Sequence, residues 1–342
     1  MCCSEIRLPE HNSFEHAMES ARQPSTSRDT FDVLIMATMS AGKSSLVNAL
    51  IGQELLHIAN EATTACHTRI EHRRRAKYFT GTCYSHSNLL LNRQRNISAE
   101  QVRDWNAHRQ VSQITLAGKF RSHPDPIPGL VLHDTPGPNN SQDDRHAQLA
   151  FEAARSVPFK TLLYVLNASQ LGTHDDRNIL ERLREETAPR GNSPFCFVLN
   201  KVDLLDPEKG EDLEEYVAKA QFYLAGIGFD KPVVIPSMAN TALYAKKALS
   251  NEPLSRAQRM KLQQMLDELA LSKHTLLEAT RAPSSVKRHV LQSLDRLEKA
   301  HKTALANHKP TKENELRQLI ICSGLGIVEA FIKYQRKLSA PA

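Results

Sequence analysis

At 342 residues, with 40% hydrophobic and 24% charged side chains, the chain has the composition of a folded globular protein. It is long enough for one large domain and a smaller helical part. The net charge of +6 is uneven: Arg281 to Ala342 carries twelve Lys and Arg against five Asp and Glu, so the remainder is near neutral. No apolar run reaches the roughly 18 residues of a membrane span, and the start, MCCSEIRLPE, is not a basic-then-apolar leader. Six cysteines without framework spacing suit a reducing compartment, so the cytoplasm is expected.

Residues 1–29 are polar and irregular, with Pro24-Ser25-Thr26-Ser27 marking a loop, and a short helix or disorder is expected there. From Phe31 the pattern changes. FDVLIM (31–36) is a continuous apolar strand, followed by ATMSAGKSS and a helix over 43–52. This is the strand–loop–helix frame of a phosphate-binding loop, with Ala37 in place of the first glycine of GxxxxGK[ST]. Thr38, Met39, Ala41, Gly42 and Ser45 would form the cradle, Lys43 would reach the β- and γ-phosphates, and Ser44 would ligate Mg²⁺. Thr63-Thr64 follow where a switch threonine would sit, with Thr64 completing the Mg²⁺ shell.

A strand is expected over 69–78, with Arg73, Arg74, Arg75 and Lys77 on its exposed edge, where positive charge discourages unwanted pairing. Residues 79–112 read as an insertion holding a short helix, Ser98 to Arg109, with a capping box at Ser98 and Gln101 and with Trp105 as a packing residue. Cys66, His67, His72, Cys83 and His86 fit no familiar zinc spacing. Strands over 113–121 and 129–133 lead to Asp134-Thr135-Pro136-Gly137. Asp134 would hold Mg²⁺ through water, and the Gly137 amide would sense the γ-phosphate. A helix over 143–156 is expected to move with that loop.

Further strands over 161–166, 195–199 and 232–236 alternate with helices over 174–187, 210–225 and 240–249. The strand ending in Asn200-Lys201-Val202-Asp203 gives the site its base specificity. Asp203 accepts from guanine N1–H and the 2-amino group, a donor pair adenine lacks. Asn200 braces the loop, the Lys201 stem covers the base face, and a backbone amide near Ser237 or Met238 meets guanine O6. Four such elements in this order, each at a strand end, define a Mg²⁺-dependent GTP site. The fold expected is α/β, a P-loop GTPase domain with a mainly parallel sheet covered on both faces. The domain boundaries expected are 1–29, 30–250 and an all-helical 251–342. Apolar stripes in the last segment (Met260, Leu262, Met265, Leu266, Leu269; Val290, Leu291, Leu294, Leu297) are expected to pack on the G domain or on each other.

On the residues Thr38–Ser44, Asp134–Asn140, Pro236-Ser237-Met238 with ANTALYAKKAL, and SGLGIVEAFI (323–332), the chain resembles the bacterial dynamin-like GTPases. Within them it looks most like the replication-clamp-binding, nucleoid-associated group. Pro138 stands where Ras-like enzymes place the water-orienting glutamine. The resemblance implies that the phosphate loop itself, a bound K⁺ or Na⁺ and a nucleotide-dependent homodimer supply catalysis, with Ser40 as the phosphate-loop serine. Met39 falls where eukaryotic dynamins carry glutamine, which implies slow or partner-stimulated turnover. A second reading is a GTP-gated scaffold that barely hydrolyses and engages chromosome-associated proteins or an anionic membrane. A third, an RNA- or ribosome-directed assembly GTPase, finds no RNA-binding signature to support direct nucleic-acid binding. Larger members continue into a stalk and membrane tip, for which 342 residues leave little room, so membrane remodelling is not expected.

Overall fold

The computed structural model describes residues 30–38, 40–58, 66–122, 126–137, 144–190, 194–269 and 274–339. The N-terminal segment 1–29, Met39, Thr63-Thr64 and Pro138 to Asn140 lie outside the described residues. Among the described residues from Phe31 onward, the chain forms one compact unit built on a nine-stranded sheet.

The centre is β1 (Phe31–Ala37), every residue of which is buried, as a run of apolar residues between two parallel neighbours requires. Those neighbours are β6 (Leu130–Asp134) and β7 (Thr161–Asn167); β8 (Phe195–Asn200) and β9 (Val233–Ser237) continue the parallel set. On the other side, β2 (His67–His72) runs antiparallel to β6 and parallel to β5 (Val111–Gly118). β3 (Thr80–Ser85) and β4 (Leu90–Arg95) form a hairpin that extends this edge.

The strand expected over 69–78 ends at His72, and Arg73 to Lys77 form a turn rather than an edge strand. The true edge is β4, which is mostly exposed and carries Arg93 and Arg95. The insertion over 79–112 contributes two strands as well as its helix. That helix, α2 (Ala99–Ala107), has the expected capping box, and Trp105 packs against the core.

One face of the sheet is covered by α1 (Lys43–Ile51), α2, α6 (Ala239–Leu249), α7 (Arg256–Leu269), α9 (Ser284–Ala306), α10 (Lys312–Cys322) and α11 (Leu325–Ser339), whose apolar side chains share a single core. The other face carries α3 (Asp144–Ser156), α4 (His174–Thr187) and α5 (Leu213–Ile227), with the short α8 (Thr275–Ala279) at its margin. The C-terminal stripes bury Leu262, Met265, Leu269, Val290 and Leu294, whereas Met260 and Leu291 face solvent. No helix among the described residues is long and apolar enough to cross a membrane.

A polar knot joins the two ends of this layer. Lys246 of α6 is fully enclosed, and its Nζ donates to Ala49 O at 2.8 Å, Ser122 Oγ at 3.0 Å and Glu329 Oε1 at 2.7 Å. The C-terminal end of α1 is thereby fixed to α6 and α11. This fixes the axis of the helix whose other end opens the phosphate loop.

Candidate functional site

The five parallel strands end together, which places their following loops along one edge, where open α/β sheets bind ligands. After Ala37 the chain turns sharply: the Ala41 amide donates to Thr38 O at 3.4 Å and Ser40 takes φ +61°. Gly42 follows at φ +91°, and a Cβ there would collide with the Asn200 amide, so glycine serves both the left-handed backbone and the close approach. Gly42 precedes α1 with no side-chain cap, which leaves the first N–H groups of the helix for an anion. Lys43, Ser44 and Ser45 are buried in that first turn, while Ser40 is exposed.

Opposite them, β6 delivers Asp134, which is 1% exposed and forms an ion pair with Lys43. Thr135 is buried and donates its hydroxyl to Ile35 O at 3.1 Å, fastening the start of the Asp-Thr-Pro-Gly turn to β1; Gly137 follows, half-buried. Mg²⁺ suits the donors present. The Ser44 hydroxyl and the Asp134 carboxylate are hard oxygens, and this ion ordinarily takes one or two protein oxygens beside water and phosphate.

A second part of this edge is built around Asn200, at the end of β8. Its Nδ2 donates to Ala41 O at 3.0 Å and its Oδ1 accepts from the Ala239 amide at 3.1 Å, so one buried side chain spans the phosphate loop and the start of α6. Lys201 adopts φ +65°, and its stem passes over Gly42. Asp203 follows in a short 3₁₀ turn. Ser237 closes β9 with its hydroxyl buried and unpartnered among the described residues. The Met238 amide donates to Ser323 O at 2.8 Å, so this N–H, one of the two expected near guanine O6, already has a partner.

Sequence reasoning missed three features. The Asp203 carboxylate meets Lys261 of α7 at 3.4 Å. Beside Thr38, a cleft of about 790 Å³ opens between the loop after β7 (Ser169, Gln170) and Tyr216 and Lys219 of α5. Between β2 and β6, His67 Nε2 lies 3.1 Å from His133 Nδ1, and His133 Nε2 lies 2.8 Å from Asp32 Oδ1 of β1. Burial first, then His133, Arg69 and Lys43, pushes the His67 imidazole down to about 3. Burial likewise lowers His133, against the opposing pull of Asp32. Burial raises the Cys66 thiol to about 12, and its Sγ rests 3.2 Å from Asn106 Oδ1. Among the described residues no group of three or more His, Cys, Asp or Glu is placed to hold a metal ion.

A mainly parallel sheet, an uncapped glycine-entered helix and a buried Lys–Asp pair at its mouth define the P-loop GTPase fold class. More particularly, residues 33–202 match the Dynamin family model, and this segment is a dynamin-family G domain. A solved structure of an oligomerised bacterial dynamin pair, described as a mechanism for long-range sensing and tethering of membranes, aligns at 18% identity with a TM-score of 0.50. It covers 82% of this chain and 44% of that one. A second structure of such a pair aligns at 17% identity over 86% and 46%, with a TM-score of 0.47. Era bound to MgGDPNP and a 16S ribosomal RNA segment aligns at 16% over 67% and 58%, at 0.36. The chain therefore spans less than half the length of the bacterial dynamins it matches. No curated protein matches it.

Proposed function

We propose that the protein binds GTP with Mg²⁺ and hydrolyses it to GDP and phosphate, by a dynamin-like cycle that nucleotide-dependent pairing of two G domains stimulates. One observation carries this reading: Asn200 ties the phosphate loop to the base end, so that Lys43, Ser44 and Asp134 lie on one continuous edge with Asp203. The uncapped start of α1 and Lys43 hold the β- and γ-phosphates, and Asp203 selects guanine over adenine. Ser44, Asp134 through water, and Thr64 as the switch ligand would hold Mg²⁺, which when bound would supply positive charge against the phosphates. Water oxygen attacks the γ-phosphorus, the bond to the β,γ-bridging oxygen breaks, and the proton passes to the released phosphate. Ser40, exposed at the rim of the loop, works with a K⁺ or Na⁺ ion and with a facing protomer. The Gly137 amide reports the γ-phosphate to the following helix. A chromosome-associated protein or an anionic membrane surface is the partner class this cycle would serve.

The test combines titration calorimetry, single-turnover hydrolysis with and without K⁺, and sizing with GDP or with GTP-state mimics. Lys43→Ala abolishes nucleotide binding, Ser40→Ala spares binding and slows turnover, and the GTP state elutes as a dimer. Absence of GTP binding refutes the reading. Tight binding with negligible turnover turns it into a GTP-gated scaffold, and a monomer in every state removes the dimer step.

A further inference from the structure

The base end of the site is braced by two elements far away in the chain, and both belong to the C-terminal helices. Asp203 Oδ2 lies 3.4 Å from Lys261 Nζ of α7, with the carboxylate side chain 16% and the lysine side chain 30% exposed. The helix that carries Lys261 is held firmly. Leu262, Met265 and Leu269 are buried, and Gln258 one turn earlier bonds Glu54 at 2.8 Å, the same carboxylate that pairs with Lys247 of α6. Independently, the α10–α11 turn presses on the end of β9. Ser323 O accepts from the Met238 amide at 2.8 Å, and Gly324, at φ +83°, packs so closely on Pro236 O that a side chain there would strike it.

We propose that the C-terminal helices complete the guanine end of the site, with Lys261 as a positioning residue that holds the Asp203 carboxylate for the base. This rests on the GTP reading above. Guanine needs both carboxylate oxygens, one for N1–H and one for the 2-amino group. An aligned ammonium–carboxylate hydrogen bond runs at about 2.7–2.9 Å. At 3.4 Å the lysine sits close enough to fix the carboxylate by charge while leaving its lone pairs to the base. Lys261 therefore acts on the base half alone, and its loss weakens GTP and GDP alike.

The experiment measures GTP, GDP and XTP affinity for the full chain, Lys261→Ala and Lys261→Arg, each with Asp203 or Asp203→Asn. Xanthine carries a carbonyl where guanine carries its amine, so it pairs with the asparagine amide, which has no charge for a lysine to hold. Lys261→Ala weakens GTP and GDP about fivefold each, the scale of a partly exposed ion pair, and Lys261→Arg recovers to within twofold. With Asp203→Asn, Lys261→Ala leaves XTP affinity within twofold. A Lys261→Ala protein that binds GTP like the parent, or that loses as much XTP as GTP affinity, overturns the proposal. A parent that binds no guanine nucleotide overturns the GTP reading and this proposal with it.

Discussion

Lys246→Met is the perturbation that most directly tests how the nucleotide helix is anchored. Methionine matches the lysine stem but removes an ammonium that makes three hydrogen bonds of 2.7–3.0 Å in full enclosure. Glu329, 13% exposed at its side chain, is left with Ser122 at 3.1 Å, and Ala49 O loses its donor. Breaking a buried pair by removing one partner costs about 3–5 kcal/mol, because the surviving charge stays desolvated. The residual exposure of Glu329 places the expected loss near the lower end, about 3 kcal/mol. With a urea slope of roughly 3 kcal/mol per molar, the unfolding midpoint drops by about 1 M. The double variant Lys246→Met, Glu329→Leu removes the stranded carboxylate and recovers most of that loss, to within about 1 kcal/mol of the parent. Urea denaturation followed by circular dichroism reads all three proteins. A single variant within about 1 kcal/mol of the parent, or a double variant no better than the single, refutes the paired-cluster account.

Three more outcomes follow from the same geometry. Both imidazoles of the His67–His133 pair are depressed in the folded state, so below their usual pKa near 6.5 the unfolded chain binds more protons and stability falls with pH. Between pH 6.5 and 5 His67 contributes up to about 1.4 kcal/mol per pH unit, and His133 acts in the same direction; Glu71, whose carboxyl Arg69 and Arg73 hold below its usual range against the opposing effect of burial, titrates lower still. His67→Gln should flatten the midpoint-versus-pH profile in that window, and an unchanged slope would count against the linkage. Asn200→Ala strands two buried backbone groups, costing about 2–3 kcal/mol and weakening nucleotide binding; stability and affinity within experimental error of the parent would exclude the bracing role. Gly324→Ala costs more than the roughly 1–2 kcal/mol of a left-handed non-glycine residue, because it also displaces Pro236 O. Gly210→Ala, at φ +78° with open space around it, is the control that shows the conformational cost alone.

What the sequence discloses here is what is local. The strand–loop–helix at Phe31 to Ile51 and the strand ending at Asn200 announce themselves by apolar runs that stop at polar, small or charged residues. The β3–β4 hairpin hides for the opposite reason. An edge strand with one open side can be as polar as Leu-Leu-Asn-Arg-Gln-Arg, so it offers no apolar periodicity to read. Arg73 to Lys77 reads as strand because it has the composition of a solvated edge, while its backbone turns ahead of the hairpin.

The long-range contacts hide for a different reason. A lysine on an amphipathic helix is ordinarily read as solvated, yet Lys246 and Lys261 point inward to partners tens of residues away in sequence. Helical periodicity locates α6 and α7 without showing that α11 supplies the acid for Lys246, or that Asp203 meets Lys261. Lys43, Ser44 and Asp134 stand at the ends of legible apolar strands, so their meeting at one sheet edge follows from local sequence. The surroundings of Asn200 and Asp203, the proposed base half, draw on β8, β9, α7 and the α10–α11 turn, and only folding brings those pieces together. A change in the C-terminal helices should accordingly appear first in how the site holds the base, and last in how it holds phosphate.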